Sequence, residues 1–295
     1  MAPGSNLIGT VWMVTAALFY GGMSISLKLS LDHLTVWQTG MGRFVLGLAL
    51  LPLLVRWFKL SLWGRNRALL LLRGLSGTLV FLFMIQAFKT VPLSVAIVLF
   101  YLWPVFACIL SPWVAGEPTT RREWPFIAGA LAGTVLILLP GQAGSGLAGG
   151  HFLALAAAVL AGLDVILIRR LGRTNNSFSI YFYFCLIGGL SCLGPLLAAE
   201  APLTPVSAPG WVILLAVAVL SMAAQLSMNQ GIKYLTASKT GVLLMIEVVV
   251  ASTFGVVCLG ETLTWRLLAG TGLILGCGAA LILLPAGVAP PGRAA

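Results

Sequence analysis

Long apolar runs, separated by short polar or Gly/Pro-rich breaks, dominate this chain, and none of them alternates with a period of two. A helix needs about 20 apolar residues to cross the hydrocarbon core of a bilayer. Only helices or closed barrels satisfy the backbone there, and the missing alternation excludes the barrel. The breaks define ten predicted spans: 7–28, 36–57, 69–88, 92–113, 124–140, 151–170, 178–199, 210–230, 236–259 and 265–285. The longest connections are the basic 58–68, the Gly-rich 141–150 and the Pro-rich 200–210, and none has room for a soluble domain. The first span lacks a basic n-region and a convincing cleavage site, so it reads as retained rather than as a signal peptide.

The polar positions add a second pattern, a repeat at a spacing of 144 residues. Met84, Gln86, Lys89 and Ser94 recur as Met228, Gln230, Lys233 and Ser238. Val98, Leu99, Val105, Ala107, Gly116, Glu117, Thr120 and Arg122 recur as Val242, Leu243, Val249, Ala251, Gly260, Glu261, Thr264 and Arg266. These are 12 identities over positions 84–122, where shared apolar composition predicts roughly 3 or 4. With an offset of 141, Gly9, Ala16, Ala17, Gly21 and Ile25 fall on Gly150, Ala157, Ala158, Gly162 and Ile166. Together the two registers predict an all-α multi-pass membrane protein of ten transmembrane helices in two five-helix halves, 1–145 and 146–295. An odd number of spans per half inverts one half relative to the other. Inverted repeats place a substrate site near the bilayer midplane where the halves meet, and access alternates as one bundle rocks against the other.

Composition agrees: the chain is 60% hydrophobic and 8% charged, with a mean hydropathy of +1.06, far from a soluble domain. The net charge of +10 would suggest nucleic acid, but its placement argues for topology instead. With the N-terminus cytoplasmic, inside segments carry 12 Lys/Arg and outside segments only Lys28, Lys89 and Arg266, a strong positive-inside bias. Both termini are therefore expected to be cytoplasmic, and the expected location is a plasma membrane, best matched by a bacterial inner membrane. Arg43 and Arg73 fall inside or near the ends of spans, where snorkelling would suit them; an anion carrier would instead turn them to its cavity. Cysteines 108, 185, 192, 258 and 277 lie within spans without disulfide or metal-ligand spacing. No cofactor and no nucleic-acid partner are expected, and the chain is read as monomeric.

Each half carries a Gly-Glu pair followed by Thr and Arg after its fourth helix: Gly116, Glu117, Thr120 and Arg122, then Gly260, Glu261, Thr264 and Arg266. With ten spans in two inverted halves, this pattern resembles the drug/metabolite transporter (DMT) superfamily, EamA type, over nearly the whole chain. The string Tyr101-Leu102-Trp103-Pro104 is similar to the bacterial aromatic amino acid exporters of the YddG kind. The residues themselves give the Gly-Glu pairs a structural role. Gly ends the preceding helix, and Glu meets the positive end of the next helix.

Among nine tryptophans only Trp103 lies mid-span; the others sit near span ends or in a loop, where aromatic belts form. Pro104 removes a helical hydrogen bond beside it, so a kink is expected there. Tyr101 stands about 200° around an ideal helix from Trp103, so the two share a cavity only if the kink or a wide cavity allows it. Glu247 is the repeat mate of Trp103, and a carboxyl at that depth marks a functional site by default. It could couple protons, accept a substrate ammonium group, or serve as a hydrogen-bonded structural carboxyl. Asp164 is assigned either to substrate or to an ion pair with Arg169 or Arg170. Ser221, Gln225 and Asn229 form a polar stripe spaced four apart. These amides, and Gln86 with its mate Gln230, serve interhelical hydrogen bonds or the cavity. Tyr20, before Gly21-Gly22, and Tyr183 complete the set as aromatic walls or packing residues.

The reading is a secondary transporter exporting small amphipathic metabolites, amino acids including aromatic ones foremost, by alternating access. Walker-type Gly-Lys-Ser/Thr is absent, so a gradient supplies the driving force. Within carriers the alternative is a different substrate, such as a quaternary ammonium drug or a sugar phosphate; outside them it is a channel or a lipid scramblase. An enzyme is not expected, because no acid, base and nucleophile set assembles.

Overall fold

The computed structural model describes residues 3–58, 62–114, 121–122, 124–138, 148–172, 174–197, 206–234 and 243–283. These residues form eleven helical segments and no strand. In chain order they are α1 (Pro3–Ser30), α2 (Val36–Phe58), α3 (Arg67–Thr90), α4 (Leu93–Phe100), α5 (Trp103–Val114), α6 (Trp124–Leu138), α7 (Gly149–Leu171), α8 (Ser177–Leu197), α9 (Ala208–Tyr234), α10 (Ile246–Leu259) and α11 (Trp265–Leu283). The predicted fourth span is present as two pieces, α4 and α5. Among the described residues six stretches are long and apolar enough to cross a bilayer, namely Leu7–Ser30, Arg67–Thr90, Leu93–Leu110, Gly149–Ile168, Ser177–Leu197 and Ala208–Gly231, and shorter apolar helices accompany them. Large apolar side chains such as Val212, Leu197 and Val257 are exposed on the outer surface, as a lipid-facing surface requires. Trp63, Trp113, Trp124, Trp211 and Trp265 are exposed at or near helix ends, whereas Trp103 is buried.

The packing follows the repeat in an unexpected way. The main contacts run between the halves: α1 with α9, α3 with α7, α6 with α11, α2 with α8, α3 with α8, α2 with α9, α5 with α7, α1 with α10, and α4 with α10. Exchanging α1 with α7, α2 with α8, α3 with α9, α4/α5 with α10 and α6 with α11 turns every one of these pairs into another of the set or into itself. The pattern is that of a two-fold relation. Among the described residues neither α1–α6 nor α7–α11 packs chiefly within itself, so any rigid unit that moves in this fold is assembled from helices of both repeats.

Side chains close several helix ends. The Asn66 side chain accepts from Leu69 N at 3.3 Å at the start of α3, capping it from a left-handed backbone with φ 57° that asparagine tolerates. Lys28 at the end of α1 donates to the Phe88 carbonyl in the last turn of α3, where a cation suits the helix dipole. Gly260 ends α10 in the left-handed conformation with φ 65°, which glycine adopts without a Cβ penalty.

The partner of Glu261 differs from the sequence expectation. Its carboxylate accepts from Leu93 N at 2.5 Å, Ser94 N at 3.1 Å and Ser94 Oγ at 2.6 Å. It caps α4 in the other half rather than the helix that follows it, because α4 packs against α10 and presents its unpaired N–H groups there. Gly116, Glu117 and Thr120, the first of the Gly-Glu units, lie outside the described residues.

Candidate functional site

The site begins with two interrupted helices. α4 ends at Phe100, Tyr101 and Leu102 turn, and α5 starts at Trp103. The turn is tight: Tyr101 N donates to Ile97 O at 3.0 Å and Val98 O at 3.1 Å, and Leu102 N to Leu99 O at 3.2 Å. Pro104 has no N–H to offer the Phe100 carbonyl, so the α-helical ladder cannot continue through it. In the other half Leu243 and Leu244 are helical, Met245 turns, and α10 starts at Ile246. Met245 is the repeat mate of Tyr101, so both fourth spans break at equivalent positions, the second without a proline. Close packing fixes the first break against α7. A Cβ on Gly162 would lie 2.7 Å from Ala107 N and 3.0 Å from the Trp103 carbonyl.

The break turns Tyr101 toward the other half. Its hydroxyl lies 2.8 Å from Glu247 Oε2 and 2.5 Å from the Leu244 carbonyl, while Ser24 Oγ donates to Glu247 Oε1 at 3.0 Å. Glu247 is 5% exposed and sits in the first turn of α10, where the positive helix end favours an acid. A phenol has one proton to donate, yet Tyr101 faces two oxygens. A proton on Glu247 completes the arrangement: the carboxyl donates to Tyr101, and Tyr101 donates to Leu244. The chain of hydrogen bonds links α1, the α4–α5 turn and the α10 break.

A second polar centre joins α3 and α7. Arg73 Nη1 lies 3.1 Å from Asp164 Oδ2, and Ser76 Oγ donates to Asp164 Oδ1 at 2.5 Å. Arg73 Nη1 makes no aligned hydrogen bond, so the contact is a close charge pairing rather than a directed bond. Gly77 leaves room for it, since a Cβ there would collide with Arg73 Nη1. This corrects two expectations. Asp164 pairs across the halves with Arg73 rather than with Arg170, which is exposed, and the Arg169 side chain lies outside the described residues. Arg43 and Arg73 do not snorkel: they are 3% and 2% exposed. Arg43 donates through Nε and Nη2 to Ser221 Oγ at 2.9 and 2.6 Å.

These groups share one cavity of about 160 Å³, large enough for several water molecules and hence for a small metabolite. Of the residues singled out in the sequence, Tyr20, Tyr101, Trp103, Asp164, Gln225 and Glu247 line it. Arg43 and Arg73 line it too, with Phe81, Phe100 and Phe184 among the apolar walls. Three expected residues do not. Gln86 is exposed on α3. Tyr183 is buried in a separate cluster with Leu70, Leu171 and Ile180. Asn229 is buried away from the cavity, with neither side-chain polar atom bonded. The polar stripe on α9 therefore divides: Ser221 holds Arg43, Gln225 faces the cavity and Asn229 faces neither. Of the two alternatives open for both arginines, snorkelling and a place in the cavity, the structure favours the second, and a cation inside a span is as strong a functional signal as an acid.

Comparison with known proteins places this geometry. The profile of the EamA-like transporter family matches twice, at residues 7–139 and 148–284. The chain is 25% identical to the pseudopaline exporter CntI of Pseudomonas aeruginosa, over 84% of this chain and 86% of that protein. It is 24% identical to solute carrier family 35 member G1 of Mus musculus, over 70% of this chain and 59% of the relative. A solved crystal structure superimposes with a TM-score of 0.68 at 22% identity, covering 97% of this chain and 98% of the other, so the fold is shared. The chain is an integral membrane transporter of small molecules and belongs to the EamA-like transporter family, within the DMT superfamily.

Proposed function

We propose that the chain is a secondary transporter that exports small amphipathic metabolites, amino acids including aromatic ones foremost. Access alternates through the cavity between two inverted five-helix halves, 1–145 and 146–295, with ten spans and both termini in the cytoplasm of a bacterial cell. The observation that carries this reading is the make-up of the cavity. Aromatic walls and charged side chains of both signs line it, which suits a solute with an apolar body and opposite charges. The narrower likeness to aromatic amino acid exporters rests on Tyr101 through Pro104, and Tyr101 and Trp103 of that string face the cavity. A relative named as a metabolite exporter supports the direction. Glu247 is the proton-coupling group, because the hydroxyls around it offer a place for one added proton.

Purified chain in liposomes should carry labelled phenylalanine, tryptophan and leucine faster than empty vesicles do, with saturation and counterflow. Flux that never saturates would favour a channel. A panel in which only quaternary ammonium compounds or sugar phosphates move would reject the amino acid assignment.

A further inference from the structure

We propose that Arg43 is the carboxylate-binding residue of the cavity, so that the transported solute carries at least one carboxylate; this rests on the amino acid reading above. Of the charged cavity residues, Arg73 and Asp164 answer each other, and Glu247 is held by two hydroxyls. Arg43 differs from all three. Among the described residues no carboxylate pairs with it, and its only hydrogen-bond partner is the neutral Ser221 hydroxyl. Nη1 is buried and has no partner.

The surroundings hold the guanidinium in place without neutralising it. Its Cζ lies 4.1 Å from the Phe81 ring centroid, 5.0 Å from that of Phe184 and 5.1 Å from that of Phe44. Aromatic faces attract a cation, but by much less than a buried counter-ion would. A cation at this depth is costly unless it serves a partner or a cavity, and Arg43 lines the cavity. Guanidinium is the side chain whose planar donors match a carboxylate, whereas lysine offers a point charge. Ser221 takes the Nε–Nη2 edge and leaves Nη1, with the second hydrogen of Nη2 beside it, for the solute. The solute's ammonium group then falls to Glu247 once that carboxyl has released its proton, and its apolar body to Trp103 and the phenylalanines. The cavity thereby orients a zwitterion as well as enclosing it.

The test is a thermal-shift titration of the detergent-purified full chain with phenylalanine, 3-phenylpropionate and phenylalaninamide. Wild type should bind the two acids at least tenfold more tightly than the amide. Arg43→Lys, which keeps the charge and folds if the charge alone is needed, should lose at least tenfold for both acids and leave the amide unchanged. Arg43→Gln should remove the preference for acids altogether. Acid preference that survives in Arg43→Lys and Arg43→Gln overturns the assignment while the amino acid reading stands. Wild-type preference for the amide does the same. Failure of wild type to bind or transport any of the three rejects the amino acid reading, and the assignment with it.

Discussion

Replacing Glu247 with glutamine separates the proton from the fold. The Gln side chain is nearly the same shape, its amide can donate to Tyr101, and its carbonyl can accept from Ser24 Oγ, 3.0 Å away in the native chain. The hydrogen-bonded chain across α1, α4–α5 and α10 therefore survives, frozen in its protonated pattern. A carrier that exchanges one proton per solute gains about 1.4 kcal/mol from each pH unit across the membrane, which is about a tenfold accumulation. Proteoliposomes with a one-unit gradient should thus accumulate solute about tenfold through wild type, and not at all through Glu247→Gln. Counterflow without a gradient should persist in the variant. Tyr101→Phe makes the complementary change by leaving the Leu244 carbonyl and the carboxyl without the phenol, which costs about 1–3 kcal/mol of stability. Gradient-driven accumulation that persists in Glu247→Gln would refute Glu247 as the proton site.

Asp164→Asn strands Arg73 in the core and should destabilise the chain by about 3–5 kcal/mol in detergent denaturation, with most of that recovered when Arg73→Met is added to Asp164→Leu. Glu261→Ala removes the cap of α4 and should cost about 1 kcal/mol; hydrogen exchange at the Leu93 and Ser94 amides should rise by several-fold.

The helices were legible because apolar runs of bilayer length admit little else, and where their ends fall among the described residues they moved by only a few positions; the start predicted at 236 lies outside those residues. The break at Tyr101 was announced by Pro104. Its twin at Met245 has no proline, and only the repeat points to it. The repeat also paired Trp103 with Glu247, and both line the cavity. What could not be read is which residues meet across the halves. Arg73 and Asp164 lie on helices far apart in sequence, so the local neighbours Arg169 and Arg170 were the visible partners. The amides fell short for a related reason. Gln86 and Asn229 carry the same amide group as Gln225, but the face each presents depends on how the helices interleave, and hydropathy does not encode that.

That interleaving governs how the protein can be made. The principal partner of α1 is α9, and that of α3 is α7, so α1 to α6 leave the ribosome before the helices they pack against exist. Their main packing surfaces stay open until α7 to α11 follow. Folding is thus a late event dominated by contacts distant in the chain, a slow topology with a long exposure to wrong partners. A protein cut in the connection between α6 and α7 should assemble when both pieces are synthesised together, and either piece alone should be cleared.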